Sequence, residues 1–391
     1  MTEPVTTAGT VLSFDPNGAA FADLPTPALV LDREALARNL ERMNSFLAAQ
    51  GQHARPHTKT HKSPEIAALQ VAMSQTVGVC CARVAELEAL VESGIRDVLV
   101  TSPMTTREKV RRFVACLPEA PSEAPGSGVC TVVDSGLGVE LLAAELQRSG
   151  KQAAVIIDLD PGFHRTGIDF GEPALGLARL IADHPQLHLH GLQMYAGTLM
   201  HLESAAERFE KATALWQRAK ETAELLEANG HACPVLTGGG TGTFDLDASI
   251  GIATDLQVGS YVFMDAQYRA IENSPAGTAG PFDFFEPALF VIAAAVSQPA
   301  PGLITVDAGF KALSCDHAPE VPAHPAVNYH FAGDEHGILQ LGAASRDIAL
   351  GDRVALLVSH CDPTVNLHQS YHLVRNGRLD GTWPIAARGF G

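Results

Sequence analysis

The sequence predicts an α/β protein: a (β/α)8 TIM-type barrel followed by a C-terminal mostly-β domain. Three observations carry this expectation. Between residues 28 and 241, short β-branched runs alternate with helical patterns eight times, the count such a barrel needs. After about residue 270 a Gly- and Pro-rich break, ENSPAGTAGPFD, gives way to short strands with few helical stretches. The length of 391 residues accommodates one barrel and a further module. A doubly wound open sheet is the alternative that β–α alternation alone leaves standing.

The elements follow in order. ALVLD (28–32) is the first expected strand and REALARNLERMNSFLAAQ (33–50) its helix. ARPHTK (54–59) precedes the helix SPEIAALQVAM, and VGVCCA (77–82) precedes RVAELEALVESG, where Gly94 fits a C-cap. DVLVTS (97–102) leads into TREKVRRFVACL, and residues 115–128 (ACLPEAPSEAPGSG) read as a surface connection. GVCTVVDS (128–135) leads into GLGVELLAAELQRSG, and AAVIIDLD (153–160) into PALGLARLIADHP after a loop. LHLHGLQMY (187–195) precedes the long helix ESAAERFEKATALWQRAKETAELLEANG, and PVLTGGGT (234–241) is the eighth expected strand. Beyond the break, ALFVIAAAVSQP, GLITVDAG, HGILQLG, DRVALLVSH and YHLVRNGRLDGTWPIAARG read as strands. The expected division is an N-terminal segment at 1–23 that packs with the β domain, a barrel at 24–268, and the β domain at 269–391.

Composition excludes several classes of function. A hydrophobic fraction of 46% with 18% charged residues is a core-forming chain, which rules out a disordered one. The net charge of −17 leaves no generic basic footprint for nucleic acid or anionic lipid. The longest apolar run, Ala288 to Val296, is less than half of a membrane span. MTEPVTTAGTVLSF lacks the basic and apolar regions of a secretory signal. Seven cysteines, an odd number with no C-x-x-C, fit reduced thiols in a cytoplasm better than a disulfide framework or zinc ribbon.

Reactive groups of such a barrel sit where strands end in their βα loops. One strand runs into Arg55-Pro56-His57-Thr58-Lys59-Thr60-His61-Lys62, which reads either as a solvated basic loop or as a cation-crowded lysine. Crowding and desolvation lower an amine's pKa and free it for Schiff-base chemistry. The turn Thr237-Gly238-Gly239-Gly240-Thr241 lets backbone N–H groups approach a phosphate at the barrel's usual phosphate position. A phosphate anchor plus such a lysine is the minimum for pyridoxal phosphate. Arg165 and Tyr195 stand at two further strand ends, as an ordinary loop cation and core aromatic or as cofactor contacts. An arginine keeps its proton, so a pyridine nitrogen facing it would stay unprotonated and the ring would be a weaker electron sink. In extended structure His360 and Asp362 would point to one side with Cys361 facing away, a pair suited to Mn²⁺, Mg²⁺, Co²⁺ or Zn²⁺ or to no metal at all.

These stretches, with LPTPALVLD, HRTG, LQVGSYVFMD, VDAGFKALS, SHCDPTVNL and WPIAARG, resemble the D-threonine aldolase and D-serine dehydratase family, from about Leu24 to the C-terminus. The family consists of fold-type III pyridoxal-phosphate enzymes with an alanine-racemase-like barrel and a metal-bearing β domain. The resemblance implies Lys59 as the Schiff-base lysine, Arg165 at the pyridine nitrogen, and Gly239, Gly240, Thr241 and Tyr261 at the phosphate. It further implies Tyr195 in the cofactor pocket, His360 and Asp362 as ligands of a divalent ion, and a homodimer. Dehydratase members typically show H-x-C and aldolase members H-x-D; Asp362 puts this chain on the aldolase side. One departure is the loop DPGFHRTG, where a smaller residue than Phe163 or His164 is expected.

The resemblance therefore implies retro-aldol cleavage of β-hydroxy-D-amino acids to glycine and an aldehyde, with His57, His61 or His317 as candidate bases. A D-3-hydroxyaspartate aldolase releasing glyoxylate carries the same motif. Rival readings are a dehydratase of D-serine or D-threo-3-hydroxyaspartate, a racemase, which needs no metal at a β-hydroxyl, and a non-catalytic pyridoxal-phosphate carrier, which needs no β domain.

Overall fold

The computed structural model describes residues 12–119, 128–273, 282–342 and 348–389. ALVLD forms β1 (Ala28–Asp32), and Asp32 starts α1 (Arg33–Gln50) by accepting the N–H groups of Glu34 and Ala35 at 2.9 and 3.0 Å. Then come β2 (His53–Ala54), α2 (Pro64–Val71), β3 (Val79–Cys81), α3 (Val84–Glu92), β4 (Val98–Val100) and α4 (Arg107–Cys116). They are followed by β5 (Val129–Val133), α5 (Gly136–Ser149), β6 (Ala153–Leu159), α6 (Glu172–Ala182), β7 (Leu187–Met194) and α7 (Ala205–Ala228). The barrel series ends with β8 (Val235–Gly238), α8 (Phe244–Ile250) and β9 (Asp255–Leu256). Serines cap three of its helices: Ser63, Ser135 and Ser204 accept the N–H groups of Ile66, Gly138 and Glu207. After α9 (Ala266–Arg269) come β10 (Leu289–Ala300), β11 (Leu303–Val306), β12 (Asn328–Phe331), β13 (Gly337–Gln340), β14 (Arg353–Leu357), α10 (Cys361–Leu367), β15 (Ser370–Arg375) and β16 (Arg378–Pro384).

Among the described residues, contacts divide the chain into two units. One holds residues 43–119, 128–259 and 386–389; the other holds 12–42, 260–273, 282–342 and 348–385.

The first unit is the barrel. Its eight parallel strands run β2-β9-β8-β7-β6-β5-β4-β3, and parallel bridges Ala54–Thr76 and His57–Cys80 link β2 back to β3. Cys80, Leu99, Cys130, Val132 and Ile156 cluster as an apolar core, and the Cys80–Leu99 and Leu99–Cys130 register pairs hold neighbouring strands together. Beside it runs a buried polar chain. Asp158 accepts from Gln193 Nε2 at 2.8 Å, and Gln193 Oε1 accepts from Gln257 Nε2 at 3.0 Å. Gln257 Nε2 also donates to Thr237 Oγ1 at 3.1 Å, and Thr237 donates to Asp255, which pairs with Arg55 at 3.2 Å. Each member makes at least one hydrogen bond, which lowers the cost of burying it, while Arg55 Nη1 is left without a partner among the described residues.

The barrel frame differs from the expected one by one strand. ALVLD, expected as the first barrel strand, lies in the other unit, and the strand that completes the barrel is the two-residue β9. A β–α succession looks the same whichever sheet the strand joins, and two residues carry no readable period.

The second unit is a mixed sheet in the order β12-β13-β11-β10-β1-β15-β16, with β14 also paired to β10. β1 runs antiparallel to β10 and parallel to β15. Phe14 and Phe21 stack at 5.3 Å and join Leu24, Val30, Phe290, Ile292, Leu357 and Val374 in its core, so residues 12–23 pack here. Residues 1–11 of the expected N-terminal segment lie outside the described residues, as do most of the expected 115–128 connection and of ENSPAGTAGPFD. Asn376 and Gly377, both at positive φ, make the tight β15–β16 turn.

Candidate active site

Lys59 is placed by the backbone that leaves β2. Arg55 N–H and His57 N–H bond the carbonyls of Leu256 and Val258 at 2.9 and 2.8 Å, and a 3₁₀ turn over Thr58–Thr60 follows. Thr58 Oγ1 fastens this turn to the Cys80 carbonyl at 2.8 Å. Lys59 is thereby held half-buried at the C-terminal end of a barrel strand. It lines a cavity of about 400 Å³ together with His57, Arg83, Thr101, Arg165, Thr166, Gln193, Tyr195 and Gln257. That volume is in the range of small-molecule sites. Lys59 Nζ lies 5.9 Å from the Tyr195 ring centre. The Arg165 guanidinium lies 5.3 Å from the same ring and 5.1 Å from that of Phe163. The two side chains expected to be too large for this loop thus have separate places: Phe163 stacks on the arginine, and His164 turns outward to Asp160 at 2.8 Å.

The two histidines flanking Lys59 differ. His57 lines the cavity; its Nδ1 accepts from Lys59 N–H at 3.4 Å and its Nε2 meets Thr101 Oγ1 at 3.0 Å. His61, expected beside it as a candidate base, is turned into the core. Its Nδ1 accepts from Ser63 N–H and its Nε2 meets Gln70 Oε1, both at 3.1 Å, and it is fully buried. The 3₁₀ turn over Thr58–Thr60 stands between them and sends one imidazole to the cavity and the other to the α2 framework.

The glycine turn follows β8. Gly239 adopts φ +68°, and a Cβ there would stand 2.3 Å from Asp247 Oδ2. A Cβ on Gly240 would stand 2.6 Å from Met200 Sδ and 3.7 Å from Tyr195 Cε2, so this backbone closes directly on the cavity's aromatic. Thr241 is buried. Asp247 supports the turn from below: its carboxylate accepts from Trp216 Nε1 at 2.8 Å and Thr243 Oγ1 at 2.6 Å, and burial pushes it up to about 7. Burial likewise pushes Asp158 up to about 6, against the hydrogen bonds from Gln193 and Thr166. The cavity thus presents an amine, two guanidiniums and an aromatic face, with the glycine turn beside that aromatic, inside a chain of net charge −17. That donor set fits an anionic carbonyl cofactor such as pyridoxal phosphate. Tyr261 belongs to the other unit, where it is buried with its ring 5.5 Å from that of Phe285.

The H-x-D pair lies in the β unit, but not in a strand. His360 is extended and caps α10, so Asp362 stands in that helix's first turn. A carboxylate there, followed by Pro363, is a favourable helix start, which the expected extended reading overlooked. Cys361 is buried, and its N–H bonds Asp265 Oδ2 at 3.0 Å. His360 Nε2 and Asp362 Oδ2 are 4.0 Å apart. His360 Nδ1 meets Asp316 Oδ2 at 2.7 Å, and Asp316 also accepts from Gln267 Nε2 at 2.9 Å and from Ser314 Oγ. Burial opposes ionisation of Asp316, yet the bonds from Ser314 and His360 hold it down to about 2. Burial raises Asp265 to about 6. Among the described residues no three acidic, histidine or cysteine side chains form a ready metal cluster, so the pair offers two protein ligands. An imidazole fixed on one nitrogen and facing a carboxylate with the other fits a divalent ion. Asp316 was not foreseen; it lies 44 residues before His360, and no spacing rule links them. His317, the third candidate base, is exposed beside it.

Similarity to known proteins agrees with this architecture. The family model described as "Alanine racemase, N-terminal domain" matches residues 31–267, and "Putative serine dehydratase domain" matches 288–374. The chain is 36% identical to the 3-hydroxy-D-aspartate aldolase of Paracoccus denitrificans (strain Pd 1222), over 95% of this chain and 94% of that protein. It is 36% identical to the D-threonine aldolase of an Arthrobacter species, over 95% of both. The crystal structure of D-threonine aldolase from Filomicrobium marinum superposes with a TM-score of 0.87 at 34% identity, covering 94% of this chain and 96% of that one. A D-threo-3-hydroxyaspartate dehydratase from Delftia sp. (strain HT23) is more distant, at 30% over 92% of this chain and 97% of that protein. With an alanine-racemase-like barrel, a separate mostly-β sheet and aldolases as its near relatives, the chain belongs to the D-threonine aldolase and D-serine dehydratase family of pyridoxal-phosphate enzymes.

Proposed function

We propose that this protein is a pyridoxal-phosphate- and divalent-metal-dependent aldolase that cleaves β-hydroxy-D-amino acids to glycine and an aldehyde. The observation that carries the reading is the His360–Asp362 pair. Its second donor is a carboxylate oxygen, and the intervening thiol is buried away from it. The near relatives named as aldolases support it.

Lys59 would hold the cofactor through its amine, Arg165 would face its ring nitrogen, and the Gly239–Thr241 turn and Tyr261 would hold its phosphate. When bound, pyridoxal phosphate supplies a conjugated ring that accepts electrons from the substrate's α-carbon. A guanidinium does not hand on its proton, so a ring nitrogen facing Arg165 would stay unprotonated and the electron sink would be moderate. His360 and Asp362 would hold a divalent ion, whose chemistry is to acidify an oxygen ligand such as a β-hydroxyl. His57 accepts from Lys59 N–H at Nδ1 and meets Thr101 Oγ1 with Nε2 in the cavity that Lys59 lines, where it would pass a proton locally. Arg83, on the same wall, can pair with a substrate carboxylate.

A second reading keeps the same cofactors and makes the protein a dehydratase releasing ammonia and a keto acid; the match of residues 288–374 to a dehydratase-type domain favours it. The relatives equally support D-3-hydroxyaspartate as substrate, with glyoxylate as the aldehyde. All seven cysteines are free, Cys315 of them exposed, which supports a cytoplasmic home, and a homodimer is the expected assembly. Among the described residues no helix is long and apolar enough to cross a membrane.

A panel of D-threonine, D-phenylserine and D-3-hydroxyaspartate, each against its L-form, with Mn²⁺ supplied, tests the proposal. Aldehyde release from at least one D-substrate and none from L-forms is expected. Aldehyde from none of them contradicts it.

A further inference from the structure

We infer that Asp316 is a positioning residue for the metal centre: it fixes the His360 ring so that Nε2, not Nδ1, is the coordinating nitrogen, facing Asp362. The inference rests on the reading of His360 and Asp362 as metal ligands.

The argument is one of donors and acceptors. An ionised carboxylate can only accept. The 2.7 Å contact between Asp316 Oδ2 and His360 Nδ1 therefore requires the proton on Nδ1. Neutral imidazole carries one N–H, so its lone pair is on Nε2, the nitrogen on the Asp362 side, 4.0 Å from Oδ2. Asp316 is itself held in place. Gln267 Nε2 donates to the same Oδ2 at 2.9 Å, and Ser314 Oγ occupies Oδ1. Both its oxygens are thus engaged, which leaves it a poor third ligand and a good brace. Ser314 is in turn tied to α10, with its N–H on Thr364 Oγ1 at 3.0 Å and its carbonyl accepting from Ser359 Oγ at 3.2 Å. The brace therefore spans from the 314–316 turn to the helix that carries Asp362. A bare surface contact between a histidine and an acid would need no such support.

The test uses the full-length holoenzyme and Mn²⁺ as the probe, with free Mn²⁺ read by electron paramagnetic resonance. Asp316→Ala is expected to weaken Mn²⁺ binding 10- to 100-fold, the range for lost outer-shell partners. Asp316→Asn keeps an acceptor for Nδ1–H and is expected to lose less. In a second, metal-free readout, ¹⁵N-histidine spectra are compared, with His360 assigned by its loss in His360→Ala. The wild type should show the Nδ1–H form of His360, and Asp316→Ala should shift it toward Nε2–H. If Asp316→Ala binds Mn²⁺ within twofold of wild type while His360→Ala does not bind, the positioning role is wrong and the ligand reading stands. If the wild type takes up no Mn²⁺ at all, both fall.

Discussion

Lys59 owes its position to main-chain hydrogen bonds and a threonine clamp, so its side chain can be removed with little effect on its surroundings. Lys59→Ala should fold, with an unchanged circular dichroism spectrum, and lose both the visible absorbance of lysine-bound pyridoxal phosphate and all turnover. A retained band would show that another amine holds the cofactor. The turn after β8 is less forgiving. At Gly239 an alanine must adopt φ +68° and meet Asp247 at 2.3 Å. Gly239→Ala should cost roughly 1–3 kcal/mol in urea unfolding. Residue by residue, the sequence was an uneven guide. RPHTKTHK shows a lysine among cations, but nothing in the string separates His57 from His61; only the fold sends one to the cavity and the other to Gln70. Asp316 was invisible because its partner is 44 residues away.

At the scale of elements, Asp247 shows how a short helix supports a loop. It is buried beneath the glycine turn with its carboxyl raised to about 7, above the 3.8 of an ordinary aspartate. A raised folded-state value means that the folded chain binds the proton more tightly. This stabilisation is complete below pH 4 and is lost as pH rises through 7. Asp247→Asn cannot titrate, so the wild type's urea midpoint, relative to the variant's, should fall between about pH 4 and 7 and level off above. A constant difference across that range would show that Asp247 is ionised throughout. The helices were legible because their apolar spacing is local: REALARNLERMNSFLAAQ is α1 from end to end. Strand partners were not. β1 has the look of a barrel strand and pairs with β10 and β15, β9 is too short to show a period, and α10 begins within a segment whose pattern suggests extended backbone.

For the whole molecule, each unit carries one kind of chemistry: an amine and guanidinium cavity in the barrel, an imidazole–carboxylate pair in the β unit. The net charge of −17 makes the Lys59, Arg83 and Arg165 cavity the exception in an acidic chain, as an anionic cofactor requires. If the two groups serve separate tasks, removing one should spare the other. Dialysis against a chelator should abolish turnover, leave the visible cofactor band in place, and be reversed by Mn²⁺. Unchanged turnover after the metal is gone would remove the ion from the mechanism. The central claim, carbon–carbon cleavage, is decided by product stoichiometry. With one ¹³C-labelled β-hydroxy-D-amino acid from the panel, NMR should find one glycine and one aldehyde per substrate consumed and no keto acid. Ammonia and a keto acid in equal amounts, with no glycine, would contradict it.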